Sequence, residues 1–366
     1  MMYFDHAATT PVDRRVLEAM LPYFSEIYAN ASSSHAMGRK SAMAVDDARD
    51  KMASILKRKP KELYFTSGGT EADNWALKGI AYANRDRGKH VLVSSFEHPA
   101  LLESANFLKK VGFDVEFLPV TENGFVLPEV VRDRMRDDTV LVSVMAANNE
   151  VGAVQPVAEI AEVVHERGAI FFSDFVQAMG EVDPSPADAF SCSSHKLYGP
   201  KGVGLLCVKE GIKIERFHHG GHQERSLRGG TTNTPAIVGF AEALSLTYEE
   251  GEERKAHIKA MRDAFLDGLL SETVTLNGDR EKRLVSNANL CFHGKNGQAL
   301  LNRLDLSGIC ASTGSACTSG AVHPSHVLLA MGKRAEASSS IRFTFGKDNT
   351  MEEVERAIRI IKKEVE

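Results

Sequence analysis

The chain has no stretch that approaches the roughly 18 to 20 continuous apolar residues needed to span a bilayer, so no membrane-crossing helix is expected. Met1 to Asp5 carry no basic segment leading into an apolar one, so a secretory leader is not expected either. Surplus positive charge is also missing: 44 Lys and Arg against 49 Asp and Glu leave a net charge of −5. With no cationic excess to neutralise a phosphate backbone, no direct nucleic-acid partner is expected. Cysteine is scarce. The five present (Cys192, Cys207, Cys291, Cys310 and Cys317) form no C-x-x-C pair, and their odd number leaves a free thiol in any disulfide scheme. That pattern points to a reducing compartment, hence the cytoplasm, and away from structural zinc, whose ligands come in close pairs. Internal repeats and low-complexity tracts are absent as well.

What is present is a chain of 366 residues, longer than the roughly 250 to 300 at which single cores stop growing. Two domains are expected: a large one over 14–250 and a small one formed by 1–13 with 251–366. Short apolar runs at 62–66, 90–94, 114–119, 139–145, 170–174, 189–192 and 204–208 alternate with amphipathic stretches at 40–56, 71–86, 100–111 and 157–167. This alternation predicts an α/β fold with a mostly parallel sheet covered by helices. A long helix is expected from Thr234 through 249–259. The second, smaller α+β domain then has strands near 287–292 and 340–345 and a last helix over 351–366, acidic at its start and lysine-bearing at its end.

Several motifs carry chemistry. Ser193-Ser194-His195-Lys196 follows a short apolar run, and burial or cationic neighbours can lower a lysine pKa enough for its amine to attack a carbonyl. A surface lysine in a turn is the plainer alternative. Thr66-Ser67-Gly68-Gly69-Thr70-Glu71 joins a strand to a helix, where backbone N–H groups converge as in a phosphate cradle. An ordinary turn with Thr70 as N-cap would read the same way. Asp174 ends a strand with Gln177 three residues on. It suits the carboxylate that pyridoxal-phosphate enzymes pair with the pyridinium nitrogen, or a simple loop cap. His98, after another strand, can stack on a cofactor ring and exchange protons near neutral pH, or serve only as structure. Cys317 lies in the small-residue run 312–320, a composition suited to a moving nucleophilic thiol, although cysteine also packs as a small hydrophobe. Arg342 sits among apolar residues and must face a carboxylate, either of a substrate or of this chain.

In this order the segments closely resemble the cysteine desulfurases, within the class V aminotransferase group of fold-type I pyridoxal-phosphate enzymes. The resemblance runs from Tyr3-Phe4-Asp5-His6-Ala7-Ala8-Thr9-Thr10-Pro11 through Ala147-Asn148-Asn149-Glu150-Val151-Gly152 and 193–204 to Pro324-Ser325-His326-Val327-Leu328. It implies that Lys196 holds pyridoxal 5'-phosphate covalently, Asp174 pairs with the ring nitrogen, Gln177 contacts the phenolic oxygen and His98 stacks on the ring. Gly69, Thr70, Ser193 and His195 would hold the phosphate, with Thr231 reaching the phosphate of a neighbouring subunit in a homodimer. Asn149 would lie by cofactor and substrate, while Asn30 and Arg342 would bind the carboxylate of L-cysteine. Cys317 would take the sulfur as a persulfide, release alanine and pass the sulfur to an acceptor protein serving iron–sulfur assembly or tRNA thiolation. The segment around Cys317 looks like that of the long-loop group. Departures stand at Ala29-Asn30-Ala31, Phe175, His222 and Gly229, where the family usually has other residues. Two competing readings remain at this point: another class V activity that needs Lys196 but not Cys317, and a non-catalytic protein that kept the fold.

Overall fold

The computed structural model describes residues 1–314 and 324–365. In chain order its first elements are β1 (Met2–Tyr3), α1 (Arg14–Met20), α2 (Pro22–Ser25), α3 (Ala36–Ile55), β2 (Leu63–Thr66), α4 (Gly69–Ala83), β3 (His90–Ser94) and α5 (Pro99–Lys110). Next come β4 (Asp114–Leu118), α6 (Pro128–Arg134), β5 (Thr139–Ser143), α7 (Val157–Glu166), β6 (Ile170–Asp174), β7 (Ala189–Ser193) and β8 (Gly204–Val208). The remainder is α8 (Thr234–Glu249), α9 (Gly251–Leu269), β9 (Val274–Leu276), β10 (Asn287–Phe292), α10 (Gly297–Leu306), β11 (Ile309–Cys310), α11 (His326–Ala330), β12 (Ser340–Thr344) and α12 (Met351–Val365).

Strands that are apolar on both faces are satisfied only where helices cover the sheet on both sides. Every residue of β3, β5, β6, β7 and β8 is buried, and these strands lie inside a seven-stranded sheet ordered β2-β8-β7-β6-β5-β3-β4. β8 runs antiparallel to both of its neighbours, and the other pairs are parallel. One face packs against Trp75, Leu77 and Leu101 of α4 and α5, the other against Met52, Ile160 and Phe240 of α3, α7 and α8. This is the expected mostly parallel α/β sheet.

A separate cluster gathers Met2 and Phe4 with Phe265, Leu290, Phe343 and Val354 around the antiparallel sheet β12-β10-β9. β1 reaches this region by pairing in parallel with β11. Leu284, Val327, Leu328 and Met331, although late in the chain, pack into the core of the large sheet. The single long helix expected from Thr234 is instead two, α8 and α9. Glu250 closes α8 on the Leu246 carbonyl and leaves helical geometry at φ −103°, ψ 4°. Its carboxylate is held by Arg15 and Arg254, and Gly251 opens the next helix. Among the described residues no helix is long and apolar enough to cross a membrane.

Candidate active site

Parallel strands bring their C-terminal ends to one edge of a sheet, where α/β folds place ligands. Asp174 ends β6, Ser193 ends β7, Met145 follows β5 and His98 follows β3, and all four line one cavity of about 340 Å³. Gly69, Thr70 and His195 complete one side of it, and Asn149, Gln177, Lys196 and Arg342 the other.

Lys196 follows β7 in a single helical turn, and two residues later Tyr198 adopts the left-handed region at φ +63°, a costly conformation for a bulky side chain. Its surroundings hold it there: the Tyr198 N–H donates to Thr10 Oγ1 at 2.9 Å, and the phenol oxygen accepts from the Lys347 N–H at 2.8 Å. The lysine is thereby aimed at the N-terminal segment, where Nζ donates to the Ala7 carbonyl at 2.5 Å and the Ala8 carbonyl at 2.7 Å. Gln177 Nε2 donates to the same Ala7 oxygen at 3.0 Å, so the amide and the amine meet at one acceptor.

The turn into α4 is built by close backbone approach. A Cβ on Gly204 would lie 2.6 Å from the Gly68 backbone, and one on Gly69 would lie 2.7 Å from Val176 Cγ2. Gly68, at φ +155°, is the N-cap, so Thr70 falls within the first turn and is not the cap. Glu71 accepts from the Ser67 N–H at 2.8 Å and from Arg228 at 2.8 and 3.1 Å. Burial opposes ionisation of Glu71, but the Arg228 and Ser67 donors outweigh it and hold the carboxyl below its ordinary value. Ser193 Oγ is buried beside this helix start with no hydrogen-bond partner among the described residues. An unpartnered hydroxyl, the free N–H groups of a helix start and glycines that admit close approach fit a phosphate group.

Electrostatics on the opposite side suit an aromatic cation. Asp174 is 4 % exposed and accepts from the Val176 N–H at 2.7 Å. Burial pushes it up to about 6, and a protonated ring nitrogen beside it would return it to the ionised form. His98 caps α5, its Nδ1 accepting from the Ala100 N–H at 3.2 Å, which leaves Nε2 as the N–H of the neutral ring. Burial, then the charges of Lys196 and His326, push it down to about 4. Burial and these charges therefore favour the neutral ring of His98 in the cofactor-free site. His195 is likewise pushed down to about 4 by burial and the neighbouring Lys196 and Lys201, and its Nδ1 lies 3.1 Å from Thr9 Oγ1.

Two sequence-predicted residues stand apart. Asn30 is exposed and outside the cavity, because its side chain accepts from the Ser32 N–H at 2.9 Å in a local turn. Thr231 is exposed and lines a different cavity of about 180 Å³ with Gly230 and Arg228. Cys317 lies outside the described residues. Arg342 does line the site, but its internal alternative holds: Nη2 pairs with Asp5 at 2.8 Å and Nη1 donates to the Asn149 carbonyl at 2.8 Å, while Nε is buried without a partner among the described residues.

Four acidic residues escaped the sequence reading. Asp5 is the Arg342 partner just described. Asp73 breaks the apolar face of α4, the one signal that could have revealed it, and Glu97 stands beside His98. Glu150 links positions 314 and 325: its Oε2 meets the Ser325 hydroxyl at 2.5 Å, and a Cβ on Gly314 would lie 1.8 Å from that oxygen.

Residues 2–357 match the family model described as aminotransferase class-V. Cysteine desulfurase IscS of Methanosarcina thermophila is 46 % identical over 98 % of this chain and 91 % of its own length. Putative cysteine desulfurase IscS 1 of Bacillus subtilis is also 46 % identical, over 98 % of this chain and 97 % of its own. A solved NifS-like protein superposes with a TM-score of 0.93 at 37 % identity, covering 99 % of this chain and 98 % of that one. A protein named SspA, solved in complex with cysteine, matches at a TM-score of 0.84 and 33 % identity, over 96 % of this chain and 100 % of its own. The chain belongs to the aminotransferase class V family, among its pyridoxal-phosphate-dependent cysteine desulfurases.

Proposed function

We propose that this chain takes sulfur from L-cysteine, releasing L-alanine and leaving a persulfide on Cys317. The observation that carries the reading is that Lys196, Gln177, Asp174, His98 and Arg342 line a single cavity at the strand ends. Pyridoxal phosphate, when bound, supplies the electron sink for the substrate carbanion. Lys196 Nζ would hold it covalently and then move the proton at the substrate Cα. Asp174 would meet the ring nitrogen, Gln177 the phenolic oxygen, and His98 the ring face with a proton on Nε2. Gly69, Thr70, Ser193 and His195 would bind the phosphate, with Asn149 beside the ring. Arg342, held by Asp5 and the Asn149 carbonyl, would orient the substrate carboxylate. Cys317 Sγ forms an S–S bond to the substrate sulfur as the Cβ–S bond breaks. The electron pair of that bond stays on Cβ, which takes up a proton to become the alanine methyl group.

The remaining assignments belong to the same proposal. The protein acts as a cytoplasmic homodimer in which Thr231 reaches the phosphate of the neighbouring subunit, and Asn30 contributes to carboxylate binding only once the local turn that occupies it opens. The chain divides into a large domain over 14–250 and a small one over 1–13 and 251–366, the second carrying Cys317. The persulfide passes to an acceptor protein for iron–sulfur assembly or tRNA thiolation. The test is mass spectrometry of the protein after addition of cysteine without reductant. A gain of one sulfur on the peptide containing Cys317 is expected, absent in Cys317→Ala and in Lys196→Ala. Full alanine release by Cys317→Ala in the presence of a thiol reductant would refute the nucleophile's role.

A further inference from the structure

The ring-nitrogen carboxylate does not stand alone. Ser191 of β7 is the ladder partner of Asp174 on β6, and its hydroxyl lies 3.5 Å from Asp174 Oδ1. The same hydroxyl lies 2.5 Å from Oδ1 of Asp73, which is 1 % exposed and lines the same cavity from the second turn of α4. Two buried carboxyl groups thus flank one neutral hydroxyl. Glu97, also fully buried, faces both, and Lys196 faces Asp174 from the cavity side.

Like charges held this closely in a desolvated site do not both ionise, and one carboxyl keeps a proton. The donors decide which. Asp174 Oδ1 accepts a backbone N–H at 2.7 Å in addition to facing the serine, and Lys196 favours its charged form. Asp73 has the serine hydroxyl and is opposed by the Asp174 charge. Burial and the Asp174 charge raise the Asp73 pKa well above its ordinary value. A proton on Asp73 also resolves the direction of the hydrogen bonds. The acid donates to Ser191 Oγ, and the serine hydrogen is then left to point at Asp174.

We propose that Asp73 is a positioning residue that stays a neutral acid and, through Ser191, orients a hydroxyl onto Asp174, keeping Asp174 ionised for the ring nitrogen of the cofactor. This rests on the assignment of Asp174 to that nitrogen. A charged Asp73 would be a second counter-ion. A neutral one is a relay that an amide can imitate.

The test compares Asp73→Asn, Asp73→Ala, Ser191→Ala and Asp174→Ala with the unmodified chain. Infrared difference spectra of the cofactor-free proteins read the carbonyl stretch of protonated carboxyl groups. Titration of the cofactor-free proteins with pyridoxal phosphate gives its dissociation constant, and a pH series gives the midpoint of the visible band of the bound cofactor. Asp73→Asn should lose part of the protonated-carboxyl band yet keep the dissociation constant within about threefold. Ser191→Ala and Asp73→Ala should weaken binding by about tenfold or more and move the spectral midpoint by about one pH unit, the size expected for losing one hydrogen bond to a charged group. An unchanged infrared band in Asp73→Asn, or binding as weak as in Asp73→Ala, would overturn the proposal. The Asp73→Asn arm keeps it open to refutation even where Asp73→Ala does not fold. A normal midpoint in Asp174→Ala would instead remove the assignment of Asp174, and the proposal with it.

Discussion

Single residues in this site are governed by desolvation more than by their charged neighbours. Glu97 shows it most clearly. Its Oε1 accepts from the Ser94 hydroxyl at 2.5 Å and the Met145 N–H at 2.7 Å, while Oε2 is buried with no partner. Burial pushes the group up to about 8, so it is a neutral acid near pH 7. The sign of the linkage follows. A carboxyl whose folded pKa is raised contributes stability fully present below about 4.3, its unfolded value, and lost as pH rises through about 8. At about 1.36 kcal/mol per pH unit, Glu97→Gln should gain about 4 to 5 kcal/mol over the unmodified chain between pH 4 and pH 9. Urea unfolding of the cofactor-free proteins across that range measures the gap, and a gap that does not change with pH would show that Glu97 carries no extra proton in the fold. That Lys196 and Asp174 belong to one cavity was legible from their place at strand ends. Asp5, Asp73 and Glu97 were not legible, because their importance comes from which elements bury them and on whose charge. The neutral state of His98 was hidden for the same reason.

At the scale of elements, the side of the site proposed to hold the phosphate depends on how closely α4 approaches the loop after β6. Gly69 has ordinary helical geometry, so alanine there is excluded by contact alone: its Cβ would meet Val176 Cγ2 at 2.7 Å and Ser193 Cβ at 3.7 Å. Gly69→Ala should therefore push the start of α4 away from Ser193. The expected cost is about 1 to 3 kcal/mol of stability, typical of overpacking, with weaker cofactor binding alongside. Removing the obstructing methyl restores the space, because the Val176 Cβ is already 3.8 Å away. The double variant Gly69→Ala with Val176→Ala should accordingly recover most of the lost binding in a pyridoxal-phosphate titration, and failure to recover would mean that the clash lies elsewhere. Elements themselves were largely readable. Strands such as Gly204–Val208, apolar throughout, and His90–Ser94, with its run Val91-Leu92-Val93, carry the short apolar β-rich runs of a sheet covered on both faces. The break at Glu250 was not readable, because a charged residue followed by glycine inside a periodic stretch is tolerated by a continuous helix too. Here the arginine partners that close α8 come from α1 and α9.

For the whole molecule, the cavity in one chain lacks two of the residues assigned to it, Thr231 and Asn30, and both are exposed. Exposure of a different kind marks the first helices. Leu21, Phe24, Tyr28 and Met43 are 54 %, 59 %, 70 % and 63 % exposed, although single large apolar side chains, and not runs of them on consecutive elements, are the norm at a free surface. A second copy of this chain seated there would cover these side chains, and the exposed Asn30 lies two residues beyond Tyr28 in the chain. Light scattering of the unmodified protein should give the mass of two chains. Phe24→Glu with Tyr28→Glu, which places two carboxylates where apolar area would be buried, should give the mass of one. Its circular dichroism should be unchanged, since neither side chain belongs to a core cluster. If Thr231 of a second chain reaches the phosphate as proposed, the monomer should also bind pyridoxal phosphate more weakly, by about the tenfold that loss of one hydrogen bond to a charged phosphate implies. A variant that stays dimeric would place the interface elsewhere, and a monomeric variant with undiminished affinity would show that each chain completes its own phosphate site.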